Sequence, residues 1–203
     1  MIYKKINLLT KKECESICSH LEKYKDKFII GNSNGEVKYA AYESDLTTDF
    51  PEIHNFLKNK VEEKNIHLFK KCKVIKSFAC RYSTDTSTSM PYHYDIDDYT
   101  ILLYLNDTFS GGGTHFPFLK KTFSVSEYGV GNALLFSADK LKSYHCALPI
   151  DEGVRYTISI RVSKEKILKT LLKSFIFYII TPILNSYKSI YKIKKNESST
   201  NSV

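Results

Sequence analysis

Short β-rich segments follow one another from Lys73 to Val162, and no helical pattern separates them. The candidate strands are KVIKSFACRY, YTILLYLN, THFPFL, KTFSVS, NALLFSA, SYHCALP and VRYTISIRVS. Turn-forming stretches such as NDTFSGGG, EYGVG and IDEG lie between them. Seven or eight short strands without intervening helices are typical of an antiparallel sandwich or barrel. The sequence therefore predicts an α+β fold with a mainly β core, and a jelly roll is the expected architecture.

Two helices are predicted before this β-rich region. The first begins after Thr10, which can cap it; Glu13 completes a capping box, and Leu9 can pack against Cys14. The second lies in DFPEIHNFLKNKVEEKN, where Asp49 is the expected cap. Its apolar residues recur at four-residue steps, at Ile53, Leu57 and Val61. The stretch GNSNGE predicts a turn between the two helices.

The pattern changes again after Ser163. Apolar pairs recur every four residues in KEKILKTLLKSFIFYIITPIL, which predicts an amphipathic helix that ends or kinks at Pro182. Its uninterrupted apolar run, FIFYII, is far shorter than the ~20 residues of a membrane-spanning helix. The stretch KKNESSTNSV near the end of the chain predicts a disordered tail.

These patterns divide the chain into two parts. Residues 1–163 are expected to form one domain, with supporting helices within 1–72 and the jelly-roll core within 73–163. Residues 164–203 are expected to form the amphipathic helix and the disordered basic tail. A chain of 203 residues is long enough for one domain with a buried core and an appendage.

Charge and cysteine content restrict the class of protein. The net charge of +8 comes mostly from lysine and suits a nucleic acid, an anionic membrane or an acidic partner, although a solvated surface is the favoured interpretation. The five cysteines form no C-x-x-C pair, and the first residues lack the apolar stretch of a secretory signal. We therefore expect reduced thiols and a cytoplasmic location, with peripheral membrane contact through residues 164–184 as an alternative.

His93 and Asp95 lie two residues apart at the start of an apolar run. Residues at this spacing on a strand point to the same face. With a second histidine they would form the triad that holds non-haem iron(II) and leaves positions open. His115 and His145 both lie on predicted strands, and His145 is favoured because Arg155 follows ten residues later. A guanidinium on the next strand can bind a dicarboxylate through two hydrogen bonds.

A family resemblance rests on PYHYD, TILLYLNDTFSGGGTHFPF, GNALLFSA and YHCALPIDEGVRYTISIRV. These stretches resemble the iron(II)- and 2-oxoglutarate-dependent dioxygenases, and most closely their prolyl 4-hydroxylase branch. The resemblance covers residues 73–162, and LTKKECESICSHLE is similar to the helix that opens this branch. It implies a double-stranded β-helix, which is a jelly roll and agrees with the strand count.

The resemblance also implies roles for individual residues. Iron(II) would be bound by His93, Asp95 and His145, and Arg155 would bind the distal carboxylate of 2-oxoglutarate. Further cosubstrate contacts are implied for Tyr104, Thr114 and Tyr82. The stretch STDTSTSMPY, which follows Tyr82, is longer than usual in the family and lacks its usual glycine, so packing and cosubstrate binding are equally open for this tyrosine. Collagen-type enzymes carry lysine in place of Arg155, and either cation serves a carboxylate.

The resemblance implies a dioxygenase that uses Fe(II), 2-oxoglutarate and O2 to hydroxylate a C–H bond while 2-oxoglutarate is decarboxylated to succinate and CO2. It also implies L-ascorbate as a reductant. A peptidyl proline of a protein or peptide is the expected substrate. Nucleic-acid dealkylation is the first alternative, because Arg155 and Arg161 are six residues apart as in those repair enzymes. Small-molecule hydroxylation is the second. The spacing from His145 to Arg155 favours the prolyl branch over a nucleic-acid partner.

Other polar residues are expected to have structural roles. Asp97 and Asp98 would cap or solvate a loop, Arg161 would be exposed near its strand end, and residues 111–113 would permit a tight turn. A different class of protein also remains open, in which a vestigial barrel serves a scaffold or membrane-associated protein through its C-terminal helix. That helix could also pack against the barrel or against a second subunit in a homodimer.

Overall fold

The computed structural model describes residues 4–33, 36–69, 72–138 and 142–164. Its helices are α1 (Lys11–Lys23), α2 (Leu46–Asp49), α3 (Pro51–Glu63) and α4 (Val125–Tyr128). Its strands are β1 (Lys4–Asn7), β2 (Ile29–Ser33), β3 (Glu36–Asp45), β4 (Cys72–Ser83), β5 (Met90–His93), β6 (Tyr99–Tyr104), β7 (Phe109–Gly111), β8 (Thr114–Phe116), β9 (Lys121–Phe123), β10 (Asn132–Ser137), β11 (His145–Ala147) and β12 (Ile150–Lys164). The helix and tail predicted for 164–203 lie outside the described residues, except for Lys164.

The strands form two antiparallel sheets. The larger has the order β1-β10-β6-β12-β4-β3-β2, with β7 also paired to β12, and the smaller has the order β5-β11-β8-β9. The sheets pack against each other through a cluster that includes Phe116 of β8 and Phe136 of β10. This arrangement is a jelly roll, so the predicted fold class is confirmed.

The larger sheet presents its two faces to different surroundings because side chains alternate along each strand. One face packs against α1 and α3 and forms the main apolar core. Its buried residues include Leu21, Leu57, Ile101, Leu103, Ile158 and Ile160. The opposite face lines the space between the sheets, where the even-numbered residues of β4 and the odd-numbered residues of β12 point. The jelly roll therefore has a helix-covered outer face and an inner face that is available for chemistry.

The two N-terminal helices were predicted, and one of their caps differs. Thr10 and Glu13 form the complete capping box at the start of α1. At α3 the expected cap, Asp49, instead ends α2 and accepts a hydrogen bond from Ser44 Oγ at 2.7 Å. Helix α3 begins at Pro51, whose fixed φ suits a first helical position. A capping residue chosen from the sequence alone was wrong here because a short extra helix precedes α3.

The hairpin of β2 and β3 was not predicted. The stretch GNSNGE was expected to be only a turn between helices, yet Ser33 ends β2 and Glu36 begins β3. Strand β3 pairs with β4 from Tyr42 to Asp45, so the hairpin extends the larger sheet beyond β4. A strand can pair with the open edge of a sheet through backbone hydrogen bonds alone. Strand β3 therefore needs no alternating apolar pattern to join the sheet. Within the described part of the chain, no helix is both long and apolar enough to cross a membrane.

Candidate active site

The structure brings His93, Asp95 and His145 together. His145 begins β11 and lies opposite His93, the last residue of β5, in the antiparallel register. Asp95 lies two residues beyond β5, so the prediction that both members of the pair lie on a strand is wrong for Asp95. One ligand atom from each side chain lies within 4.8 Å of the other two. Two imidazoles and one carboxylate fit the donor set of a non-haem iron(II) site.

Backbone carbonyls orient both imidazoles. His93 Nδ1 donates to the Pro91 carbonyl at 2.9 Å, and His145 Nδ1 donates to the Ser143 carbonyl at 2.7 Å. A proton on Nδ1 leaves the lone pair of the neutral ring on Nε2, the nitrogen that can bind a metal. Burial lowers the pKa of His93, and it lowers the pKa of His145 to about 4. Both rings therefore favour the neutral form that ligation needs.

The Asp95 carboxylate is held at both oxygens. Thr100 Oγ1 donates to Oδ2 at 2.5 Å, and the Arg161 guanidinium forms an ion pair with Oδ1. Burial acts to raise the pKa of Asp95, but the charges of Arg161 and His145 hold it below its ordinary value. The Arg161 side chain is only 16% exposed, so the expectation of a solvent-exposed Arg161 is wrong. Its even offset from Arg155 was the sequence signal that both face the interior.

Arg155, on β12, lines the same cavity as the triad and is 2% exposed. Its guanidinium donates to the Gly113 carbonyl at 3.2 Å and to Thr114 Oγ1 at 3.3 Å. Its buried Nε has no hydrogen-bond partner among the described residues. This buried cation has an unsatisfied donor and no acidic partner in the described residues. It is therefore suited to bind the carboxylate of a ligand. Among the described residues, neither Asp151 nor Glu152 forms an ion pair with Arg155, although both are close to it in sequence.

The other predicted cosubstrate residues surround Arg155. Tyr104 donates from its hydroxyl to Thr114 Oγ1 at 3.3 Å. The Tyr82 ring centroid lies 5.1 Å from the guanidinium carbon of Arg155, so the longer following stretch has not moved this tyrosine away. Gly113 has φ +123°, and a Cβ there would lie 2.7 Å from Thr122 Cγ2. A residue without a side chain therefore allows the carbonyl to approach Arg155.

A cavity of about 630 Å³ joins the triad to Arg155. Its wall also contains residues that sequence analysis did not identify, namely Glu43, Phe78, Cys80 and Thr100. Glu43 was not identified because β3 was not predicted. Thr100 was not identified because it belongs to no recognisable sequence motif. At the rim, Ile96 is 96% exposed and Tyr94 is 41% exposed.

The remaining polar predictions fall outside the metal cluster. Asp97 accepts from Ser163 Oγ at 3.3 Å, and Asp98 accepts from the Lys164 amide at 2.8 Å. These bonds tie the loop after β5 to the end of β12, as expected of loop residues. His115, the other candidate histidine, contacts Thr122 Oγ1 through Nδ1 at 2.9 Å and is not part of the cluster.

Comparison with known proteins gives fold-level matches. No protein-family model matches the chain, and no curated protein matches it in sequence. Among solved structures, the viral collagen prolyl hydroxylase of Paramecium bursaria Chlorella virus 1 in complex with 2-oxoglutarate matches with a TM-score of 0.60 and 18% identity, over 82% of this chain and 97% of that chain. The chain has the double-stranded β-helix fold of this enzyme.

Two further structural neighbours are also prolyl hydroxylases. A prolyl hydroxylase from Trichoplax adhaerens, in complex with a hypoxia inducible factor peptide fragment, matches with a TM-score of 0.58 and 16% identity, over 81% of this chain and 84% of that chain. A Pseudomonas putida prolyl-4-hydroxylase matches with a TM-score of 0.54 and 11% identity, over 80% and 92% of the two chains. At these identities the matches establish a shared fold, and function has to be argued from the site.

Proposed function

We propose that the chain is an Fe(II)- and 2-oxoglutarate-dependent dioxygenase that hydroxylates a peptidyl proline. The observation that carries the proposal is that one cavity contains both a metal-binding donor set and a buried cation. His93, Asp95 and His145 offer the donor set, and Arg155 offers a buried guanidinium N–H that has no partner among the described residues. A dicarboxylate that chelates a metal with one end and pairs with a cation at the other requires both groups in one cavity.

Each side chain has a role in this proposal. His93, Asp95 and His145 would hold Fe(II), while Arg155, Thr114 and Tyr104 would bind the distal carboxylate of 2-oxoglutarate. With Fe(II), 2-oxoglutarate and O2 bound, the site would supply the oxidation of a C–H bond to an alcohol, with succinate and CO2 as the other products. The protein's own part is to fix the ligands through Pro91, Ser143 and Thr100 and to orient the substrate C–H bond.

A prolyl peptide is the substrate that the structural neighbours favour, since each of the three is a prolyl hydroxylase and one is bound to a peptide fragment. The exposed apolar rim at Tyr94 and Ile96 also suits an extended peptide. Nucleic-acid dealkylation is a second candidate, because Arg155 and Arg161 share the cavity. Arg161, however, is engaged by Asp95 and Thr100, which weakens any role toward a phosphate.

The test measures succinate formed from 2-oxoglutarate after O2 is admitted to anaerobically iron-loaded protein. Wild type and Asp95→Ala are compared with proline-rich peptides, free amino acids and methylated oligonucleotides, each with and without ascorbate. We expect peptide-stimulated turnover in wild type and none in Asp95→Ala. Stimulation by an oligonucleotide alone would replace the prolyl substrate with dealkylation. Folded wild type that neither binds iron nor forms succinate would contradict the enzyme proposal and leave the scaffold alternative.

A further inference from the structure

Glu43 lies in the wall of the cavity that contains the candidate metal ligands. It belongs to β3, and the antiparallel register pairs it with Cys80 of β4. Cys80 lies on the cavity side of β4 together with Phe78 and Tyr82. Directly opposed residues on neighbouring strands point to the same face of a sheet. The fold therefore puts a carboxylate into the inner face of the barrel, away from the helix-covered core.

Among the described residues, no cationic side chain is in contact with the Glu43 carboxylate. Its hydrogen bond comes from the Cys80 thiol at a long 3.9 Å, and no Lys or Arg of the described residues forms an ion pair with it. Burial raises the pKa of Glu43, and the positive charge of Arg161 acts in the opposite direction. Arg161 is itself paired with Asp95. A buried carboxylate without an ion-pair partner in the described residues is stabilised most by a cation that a ligand brings into the cavity.

The surroundings of Glu43 suit a cation on an apolar stem. The same cavity is lined by apolar side chains, which include Ile75, Phe78, Ile96 and Leu102. Lysine and arginine side chains pack their methylene groups along apolar surface and extend a charged head to a polar partner. A small inorganic cation would leave this apolar lining without contacts.

We propose that Glu43 binds the ammonium or guanidinium group of a substrate lysine or arginine that lies next to the hydroxylated residue. This inference rests on the proposed function, because it assigns the preferred peptide of the same cavity. The net charge of the chain is +8, so general electrostatic attraction would favour acidic peptides. A preference for basic peptides would therefore have to come from a local carboxylate.

The test measures the affinity of three fluorescent peptides by anisotropy. The peptides differ only in the residues on both sides of a single proline, which are lysine, glutamine or glutamate. The protein is loaded with Mn(II) and 2-oxoglutarate under nitrogen, so that binding is measured without turnover. Wild type is compared with Glu43→Gln, with Glu43→Asp, which keeps the charge, and with Glu63→Gln, which removes an exposed carboxylate of α3.

We expect wild type and Glu63→Gln to bind the lysine peptide about tenfold more tightly than the glutamine peptide, as one charge-assisted hydrogen bond allows. Glu43→Gln should reduce this ratio to about one, and Glu43→Asp should retain part of it. Equal affinities in wild type, a preference for glutamate, or a lysine preference that survives Glu43→Gln would overturn the inference. Failure of all three peptides to bind wild type would overturn it as well.

The same preparations separate this inference from the proposed function. Mn(II) affinity and thermal unfolding should match between wild type and Glu43→Gln, which shows that the cavity is intact. Equal rates of succinate formation with the lysine, glutamine and glutamate peptides would contradict the role of Glu43. The dioxygenase proposal would remain supported by the same result. Lysine-selective binding without any succinate formation would reject the dioxygenase proposal and leave the cation site standing.

Discussion

At the scale of single residues, Arg155 is the most informative side chain of the cavity. Its two guanidinium bonds go to the Gly113 carbonyl and Thr114 Oγ1, and its Nε is left without a described partner. Replacing Arg155 with Gln should raise the KM for 2-oxoglutarate at least about 30-fold, because a charge-assisted pair is lost. Arg155→Lys should retain more of the affinity. The measurement is the rate of succinate formation as a function of 2-oxoglutarate concentration. An unchanged KM in Arg155→Gln would mean that the cosubstrate does not bind Arg155.

Thr100 should act on the metal through Asp95. Its hydroxyl donates to Asp95 Oδ2, and valine has nearly the same shape without that donor. Thr100→Val should weaken Mn(II) binding about tenfold, since a partner of a ligating carboxylate typically contributes a factor of 10–100. Electron paramagnetic resonance titration of free Mn(II) measures this affinity. Thr108→Val, at an exposed threonine, is the control, and equal affinities in both variants would leave Thr100 a packing role only.

At the scale of secondary-structure elements, the first turn of α1 carries a pH-dependent contribution to stability. Glu13 accepts from the Thr10 amide at 2.7 Å and pairs with Lys60 of α3 at 2.8 Å. These contacts, that with Lys60 first, lower its pKa from 4.5 to about 2. A carboxylate whose pKa is lower in the folded state stabilises the fold at pH values above its unfolded-state pKa. For Glu13 this contribution is lost as pH falls from 4.5 toward 2.

Glu13→Gln should therefore lower the free energy of unfolding by about 1 kcal/mol at pH 7, a value that allows for the partial exposure of the pair. The difference from wild type should narrow below pH 4.5 as Glu13 becomes protonated. Urea unfolding at several pH values measures it, with Glu63→Gln as the charge-matched control. A difference that stays constant with pH would assign the effect to helix propensity.

Elements differ in how well the sequence predicts them. Helix α1 and the long strands β4 and β12 carry local signals, which are the capping box and the apolar alternation. Strands β2 and β3 lack such a signal and exist because β4 offers an edge to pair with. Asp49 illustrates the same limit, since the sequence offers it as a cap while the chain uses it to bind Ser44.

At the scale of the whole molecule, every candidate site residue lies before Lys164. A chain that ends at Lys164 should therefore stay folded and keep its Mn(II) affinity, with a melting temperature within a few degrees of the full chain, since about 1 kcal/mol shifts Tm by 2–8 °C in domains of this size range. Calorimetry and Mn(II) titration check this. A truncated chain that fails to fold would contradict the predicted boundary near residue 163.

The same pair of chains tests the roles predicted for residues 164–184. If this segment contacts a membrane surface, anionic liposomes should float the full chain and not the truncated one. If it forms a subunit contact instead, light scattering should show a dimer only for the full chain. Equal flotation of both chains would eliminate the membrane anchor, and equal masses would eliminate the segment as a dimer contact.

The sequence by itself determined the jelly-roll class, the first helix and the identity of His93, Asp95, His145 and Arg155 as candidates. These features depend on local spacing, strand alternation and the ten-residue step from His145 to Arg155, all of which are visible without coordinates. The tertiary structure alone decided that Arg161 lies against Asp95 and that Glu43 enters the same cavity. Such contacts join strands distant in sequence, and their geometry depends on pairing and register between strands, which no local pattern encodes.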